Sequence, residues 1–270
     1  MGHRRRTTGH GKTGQIVGVI PARWASSRLP GKPLTDLAGK PMIRHVVERV
    51  SQARLLDEVI VATDDARILQ VVEDFGGRAV MTDPGLASGT DRVAEAVRSL
   101  DADIVVNIQG DEPLIPARAV DEAARILLDD PSVEMGTLVT AFRSAEELFS
   151  PHTAKVVTDD SGFALYFSRS PIPFCRDASD PSVWLKRGVY RKHIGIYVYR
   201  KTFLLRFAGW KPGRLEEAEK LEQLRALAHG VRIRVAETEY DPVCVDTPED
   251  AERVRTLLRE RPSRFGDIYS

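Results

Sequence analysis

Residues 16–34 read Ile-Val-Gly-Val-Ile-Pro-Ala-Arg-Trp-Ala-Ser-Ser-Arg-Leu-Pro-Gly-Lys-Pro-Leu. An apolar run of β type, 16–20, breaks into a loop with Arg23, Arg28 and Lys32. In α/β proteins, ligands bind at the carboxyl ends of such strands. Gly31 lets the backbone bend, while Pro21, Pro30 and Pro33 restrict what else it can do. The three basic residues have no acidic neighbour before Asp36, so they converge as donors on something anionic and oxygen-rich, most simply a triphosphate. A surface turn with solvated charges is the plainer alternative. The stretch is not a Walker loop: the near match Gly11-Lys12-Thr13 has Arg6 in place of the first glycine and no strand before it.

Outward from this loop, strands and helices alternate. Apolar runs at 58–62, 78–81 and 103–108 read as strands, and periodic segments at 41–53, 66–75, 90–100 and 116–128 as helices. Such alternation with short connections implies a mainly parallel central sheet with helices on both faces. After residue 131 the rhythm becomes β-rich, with strands at 134–141, 154–158, 163–168 and 193–199. Asp159-Asp160-Ser161-Gly162 forms a hairpin turn, and 171–192 a proline-containing loop. Residues 215–229 read as one amphipathic helix closed by Gly230, followed by a strand at 231–235 and a helix at 248–259. The division expected is a flexible basic tail at 1–15, a nucleotide-binding part at 16–130, a sugar-binding and dimerisation lobe at 131–230, and a return to the core sheet with a C-terminal helix at 231–270.

The 270 residues allow one large domain or two joined lobes. Lys+Arg and Asp+Glu both number 39, so no global field favours nucleic acid or an anionic membrane. No apolar run is long enough to cross a bilayer, and the tail has no apolar core that would make it a secretory signal. Cys175 and Cys244 lack zinc-type spacing and read as buried reduced thiols in a cytoplasmic protein.

Chemistry concentrates at strand ends. Gln109-Gly110-Asp111 follows the fourth strand and offers a carboxylate to a divalent metal, although a turn or cap role suits Asp111 equally. Asp246 follows an apolar pair just before a helix. Thr247 with Asp250 is a capping-box pattern that explains Thr247 but leaves Asp246 free to act. Ser88-Gly89-Thr90 opens a helix whose N–H groups suit a base edge, ribose or phosphate; an N-cap alone is the alternative. Arg169, His193, Tyr197, Glu222 and Gln223 are set among apolar residues. Taken singly, they read as a structural histidine or the wet face of a helix.

Together, nine ordered blocks resemble the 3-deoxy-manno-octulosonate (Kdo) cytidylyltransferases: I-P-A-R-x-A-S-S-R-L-P-G-K-P-L, G-K-P-M-I, V-A-T-D, S-G-T-D-R, V-N-I-Q-G-D-E-P, A-L-Y-F-S-R, H-I-G-I-Y, L-E-Q-L-R and V-D-T-P-E-D. The resemblance implies a Rossmann-like nucleotidyltransferase fold and a homodimer. It also implies Mg2+-dependent transfer of CMP from CTP to Kdo for lipopolysaccharide biosynthesis. By position it places Ala22, Arg23, Arg28, Lys32, Ser88, Gly89, Thr90 and Gln109 at the nucleotide. It places Gln109, Arg169, His193, Tyr197, Glu222 and Gln223 at the sugar, and Asp111 and Asp246 at the metal; Arg23, Lys32, Asp111 and Asp246 are catalytic. Leu86, Lys192 and Cys175 depart from the family's pattern without touching a phosphate or metal position. Rival functions are another CMP-sugar-acid synthetase (for amino-Kdo or a nonulosonic acid), a sugar-1-phosphate nucleotidylyltransferase, and a catalytically silent nucleotide-binding regulator.

Overall fold

Val17 and Val19 point to one side of the first strand, Ile16 and Ile20 to the other, and all four are buried. A strand apolar on both faces lies inside a sheet covered twice. The computed structural model describes residues 14–26, 28–178 and 180–260, so nearly all of the tail expected at 1–15, and residues 261–270 of the return segment, lie outside the described residues.

In chain order, β1 (Ile16–Ala22) leads through a 3-10 turn at Lys32–Leu34 to a short hairpin of β2 (Asp36–Leu37) and β3 (Lys40–Pro41). Then come α1 (Met42–Val50), β4 (Glu58–Thr63), α2 (Ala66–Asp74), β5 (Arg78–Met81), α3 (Gly89–Val97), β6 (Ile104–Asn107) and α4 (Ala117–Asp129). The later part comprises β7 (Met135–Ala141), α5 (Ala145–Phe149), β8 (Lys155–Thr158), β9 (Ala164–Ser168), α6 (Pro181–Lys186) and β10 (Arg191–Arg200). It ends with α7 (Lys201–Ala208), α8 (Arg214–Glu219), α9 (Gln223–Ala228), β11 (Ile233–Glu237) and α10 (Pro248–Glu260).

The main sheet runs β11-β7-β10-β6-β1-β4-β5, with the β8–β9 hairpin branching from β10. β10 alone on that path runs against its neighbours; the others are codirectional. This is the expected α/β class, a mainly parallel sheet with a small β-rich insertion. One core layer packs α1, α2 and α4 on the sheet, and the opposite layer packs α3, α7 and α9. A smaller cluster of Leu37, Met42, Leu114, Val245, Ala251 and Val254 clamps α10 against the hairpin. The chain leaves β1 toward β4 and β5 and returns to β6 on β1's other side. That reversal opens a crevice beyond the carboxyl ends of β1 and β6.

The helix expected at 215–229 is two helices. Lys220 between them is left-handed, with φ 53°. An unbroken helix would pair the Glu219 and Lys220 carbonyls with N–H groups four residues on. Arg169 takes those carbonyls instead, through Nε at 2.6 Å and Nη2 at 3.3 Å. Gly230 does close α9, at φ 76°. The loop expected at 171–192 contains α6, and α5 and α7 were not anticipated. α7 buries Phe203, Leu204 and Phe207, so its polar face is too narrow to show a clear helical period. Both cysteines are free, as expected, but neither is buried: Cys175 is half-buried and Cys244 exposed, because Cys244 lies in the irregular segment before α10.

Candidate active site

The crevice is a cleft of about 520 Å³ lined by Ala22, Arg23, Arg28 and Lys32 from the first loop, Ser88 and Gly89 from the start of α3, Gln109 and Asp111 beyond β6, and Asp246 before α10. Close backbone contact shapes its floor. A Cβ on Gly110 would stand 2.9 Å from the Pro21 carbonyl oxygen. Gly31 has φ 67° and lies under Trp24, where a Cβ would meet the ring at 2.9 Å, so only glycine fits there. Its N–H donates to the Trp24 carbonyl at 3.2 Å, folding the basic loop back on itself.

Lys32 stands between the two aspartates. Its Nζ donates to Asp111 Oδ2 at 2.7 Å and to Asp246 Oδ1 at 2.9 Å, while Arg28 Nη2 lies 3.2 Å from Asp246 Oδ2. Carboxylates from segments distant in sequence therefore meet around one cation. Burial alone would depress the Lys32 ammonium, but Asp111 and Asp246 outweigh it and hold Lys32 above its ordinary value. The Val245 N–H donates to the Asp111 carbonyl at 2.9 Å, which registers one carboxylate against the other. Behind them Glu112 is buried and accepts the Tyr240 hydroxyl at 2.8 Å. Burial, followed by the charge of Asp111, pushes Glu112 up to about 8.

Two capping boxes hold the flanking segments. Ser88 Oγ accepts the Asp91 N–H and Asp91 Oδ2 accepts the Ser88 N–H, each at 3.1 Å. The Ser88 hydroxyl is thus the N-cap of α3, and the Gly89 backbone lies against the cleft at the positive end of the helix. Thr247 Oγ1 accepts the Asp250 N–H at 3.2 Å, and Asp250 Oδ2 accepts the N–H groups of Asp246 and Thr247, each at 3.0 Å. The cap explains Thr247 and fixes the Asp246 backbone.

The residues expected at a sugar lie deeper and more scattered. Thr90 donates its hydroxyl to Glu222 Oε2, and Asn107 Nδ2 lies 3.4 Å from Thr90 Oγ1. Burial raises the Glu222 carboxyl above its usual range against the pull of Thr90. Glu222 Oε1, Gln223 Nε2 and Asn107 Oδ1 are buried without a hydrogen-bond partner among the described residues. Gln109 Nε2 donates to the Gly195 carbonyl at 2.8 Å, at the bulge of β10 between His193 and Tyr197. His193 contacts Thr137 Oγ1 at 3.0 Å, between the rings of Phe167 and Tyr197. That apolar setting pushes its imidazole down to about 3 and keeps it neutral. Thr90, His193, Tyr197, Glu222 and Gln223 are not among the residues that line the cleft, and neither is Arg169. Besides Glu219 and Lys220, it donates from Nη1 to the Pro151 carbonyl at 2.9 Å, so its guanidinium is spent on backbone rather than presented to a carboxylate.

Several contributors escaped the sequence reading. Asp64 accepts the Trp24 N–H at 3.2 Å and Arg92 Nη2 at 2.8 Å, tying the basic loop to α3, and buried Arg92 also lines the cleft. Asp64 is itself an acidic residue just past a strand, the signal that identified Asp111. Lys155 is buried and donates to the carbonyls of Ser150, Thr153 and Arg169 at 2.6–2.7 Å, steadying the residue that breaks the helix. Among the described residues, no group of three or more His, Cys, Asp or Glu forms a ready-made metal cluster, so a cation here would complete its shell from substrate and water.

Residues 17–233 match the cytidylyltransferase family. The 3-deoxy-manno-octulosonate cytidylyltransferase of Geobacter sulfurreducens is 53% identical over 248 residues, covering 90% of this chain and 99% of the relative. That of Geotalea uraniireducens is 52% identical over 250 residues, covering 91% and 100%. Among solved structures, CMP:2-keto-3-deoxy-manno-octonic acid synthetase complexed with CTP aligns with TM-score 0.85 at 46% identity, over 92% of this chain and 99% of the other. A cytidylyltransferase from Leptospira borgpetersenii aligns with TM-score 0.57 at 15% identity over 94% and 97%, a likeness of fold alone.

Proposed function

This chain belongs to the 3-deoxy-manno-octulosonate cytidylyltransferase family, and from that membership we propose that its cleft transfers CMP from CTP to Kdo, giving CMP-Kdo and diphosphate. The observation that carries the site assignment is the Asp111–Lys32–Asp246 arrangement: paired carboxylates opposite a cationic loop at the end of a parallel sheet. Arg23, Arg28 and Lys32 hold the triphosphate, and Arg23 and Lys32 meet the charge that grows on the departing diphosphate. Ala22, Ser88, Gly89 and Thr90 hold the nucleotide against β1 and the N-terminus of α3. Gln109, anchored at the β10 bulge, stands where nucleotide and sugar meet. Glu222, Gln223, His193 and Tyr197 form the sugar pocket, and Arg169 serves it by keeping α8 and α9 apart.

The donor set fits Mg2+. Asp111 and Asp246 offer hard oxygens and already gather around a cation, the Lys32 ammonium. When bound, the ion would acidify the sugar's anomeric hydroxyl and neutralise phosphate charge. The anomeric oxygen forms its bond to the α-phosphorus in line with the bond that breaks to the β-phosphate, and its proton passes to solvent. No covalent enzyme intermediate is needed.

The same assignment extends to a homodimer in the cytoplasm serving lipopolysaccharide biosynthesis. Phe174 and Val189, 76% and 51% exposed beside the β-rich segment, support an interface there. Among the described residues no helix is long and apolar enough to cross a membrane.

Diphosphate release with CTP, Mg2+ and Kdo, with ATP, GTP and UTP as controls, tests the assignment. Amino-Kdo and a nonulosonic acid test the sugar. CTP binding without diphosphate release for any sugar acid would mark a silent regulator and refute it. Asp111→Asn should lower kcat on the order of a hundredfold or more while thermal unfolding stays near wild type.

A further inference from the structure

Lys32 occupies the place a divalent cation would need. Its ammonium contacts one oxygen of each aspartate, at 2.7 and 2.9 Å, and Arg28 contacts the second oxygen of Asp246 at 3.2 Å. Two carboxylates are thus neutralised by two cations of the same loop. A divalent ion bound to those oxygens would sit about 2.1 Å from each, in close like-charge contact with an ammonium on the same atoms. Ion and ammonium therefore compete. Lys32 follows left-handed Gly31 and precedes Pro33, so the backbone is constrained and the flexible four-carbon stem is what can swing. Arg23 lines the same cleft and forms no ion pair among the described residues, leaving a cation ready for a first phosphate.

We propose that Lys32 is an exchangeable internal counter-ion: it neutralises Asp111 and Asp246 in the ligand-free protein and leaves them for the triphosphate when the divalent cation takes its place. The identity of the exchanged ligands rests on the function proposed above. The triphosphate gives Lys32 and Arg28 new partners as they release the aspartates, so cation and nucleotide each favour the other's binding. Linkage makes the two enhancements equal. It follows that the ligand-free protein binds a divalent cation weakly although both of its carboxylates are in place.

Mn2+ alone is titrated into nucleotide-free protein and the free ion counted by its electron paramagnetic resonance signal. Lys32→Met, which keeps the stem and removes the charge, is expected to bind one Mn2+ about tenfold tighter than wild type. Lys32→Met combined with Asp111→Asn is expected to lose that gain. Affinity unchanged in Lys32→Met, or a gain that survives Asp111→Asn, overturns the proposal. If Lys32→Met does not fold, Arg28→Gln decides the matter, because its side chain is 64% exposed and its replacement leaves the core untouched. A Mn2+ affinity raised about threefold supports the exchange and an unchanged one overturns it. The titration uses neither CTP nor Kdo, so its failure is separate from a failure to release diphosphate.

Discussion

Arg169→Met should convert a locked helix break into a loose one. The side chain donates to three backbone carbonyls, those of Pro151, Glu219 and Lys220, at 2.6–3.3 Å. Hydrogen bonds from a charged donor contribute about 1.5–3 kcal/mol each when sheltered and less at an exposed edge. Water and the Gln223 and Leu224 N–H groups can recover part of the loss, which leaves a net destabilisation of about 2–3 kcal/mol. For a protein of this size that is a fall in Tm of roughly 5–10 °C. The functional effect follows from what the carbonyls would do once free. They would accept helical N–H groups, α8 and α9 would tend to join, and Glu222 would turn away from Thr90. KM for Kdo should then rise about tenfold while KM for CTP stays within about threefold. Calorimetry and diphosphate-release kinetics on the same preparation read both effects. A Tm within about 1 °C of wild type, together with a KM for Kdo raised a hundredfold, would refute the positioning role and make Arg169 a direct ligand of the sugar acid.

Gly110→Ala should destabilise by about 1–3 kcal/mol, because its Cβ would press the Pro21 carbonyl at 2.9 Å and Ile20 at 3.3 Å; denaturant unfolding measures it, and turnover should fall with the displacement of Asp111. His193 sets an acid limit. Its imidazole is held near 3 against an ordinary 6.5, so the unfolded chain binds the extra proton between those values. Stability is lost as pH falls through that window, by about 3 kcal/mol between pH 6.5 and roughly pH 4. His193→Phe should flatten that part of the stability–pH curve by the same amount, and an unchanged slope would show that other groups set it.

Much of the scaffold was legible because its signals are local. β5 falls at 78–81 as expected, β4 and α2 within a residue or so, and the Ser88 and Thr247 caps arise from side chains three residues from their partners. The cationic loop and both strand-end aspartates could be picked out for the same reason. The residues of the proposed sugar pocket were legible only separately. The signal for one helix at 215–229 located helical residues but not a common buried face, since α8 buries no side chain and α9 buries Gln223 to Ala226 in succession. Arg169, fifty residues upstream of Glu219, overrides it by competing for carbonyls. The helical period carries no mark of that competitor.

The sequence by itself determined the sheet class, the end of the sheet where the cleft opens and the chemical types gathered there, since apolar alternation, caps and strained glycines act within a few residues. Tertiary structure decided which charges face one another. Lys32 and Asp246 are 214 positions apart, and their meeting depends on strand order, on the Val245–Asp111 backbone bond and on α10 packing beneath the hairpin. Electrostatic pairing acts over a few ångströms of space and is indifferent to separation along the chain, so only the folded arrangement could show a lysine seated between the two aspartates.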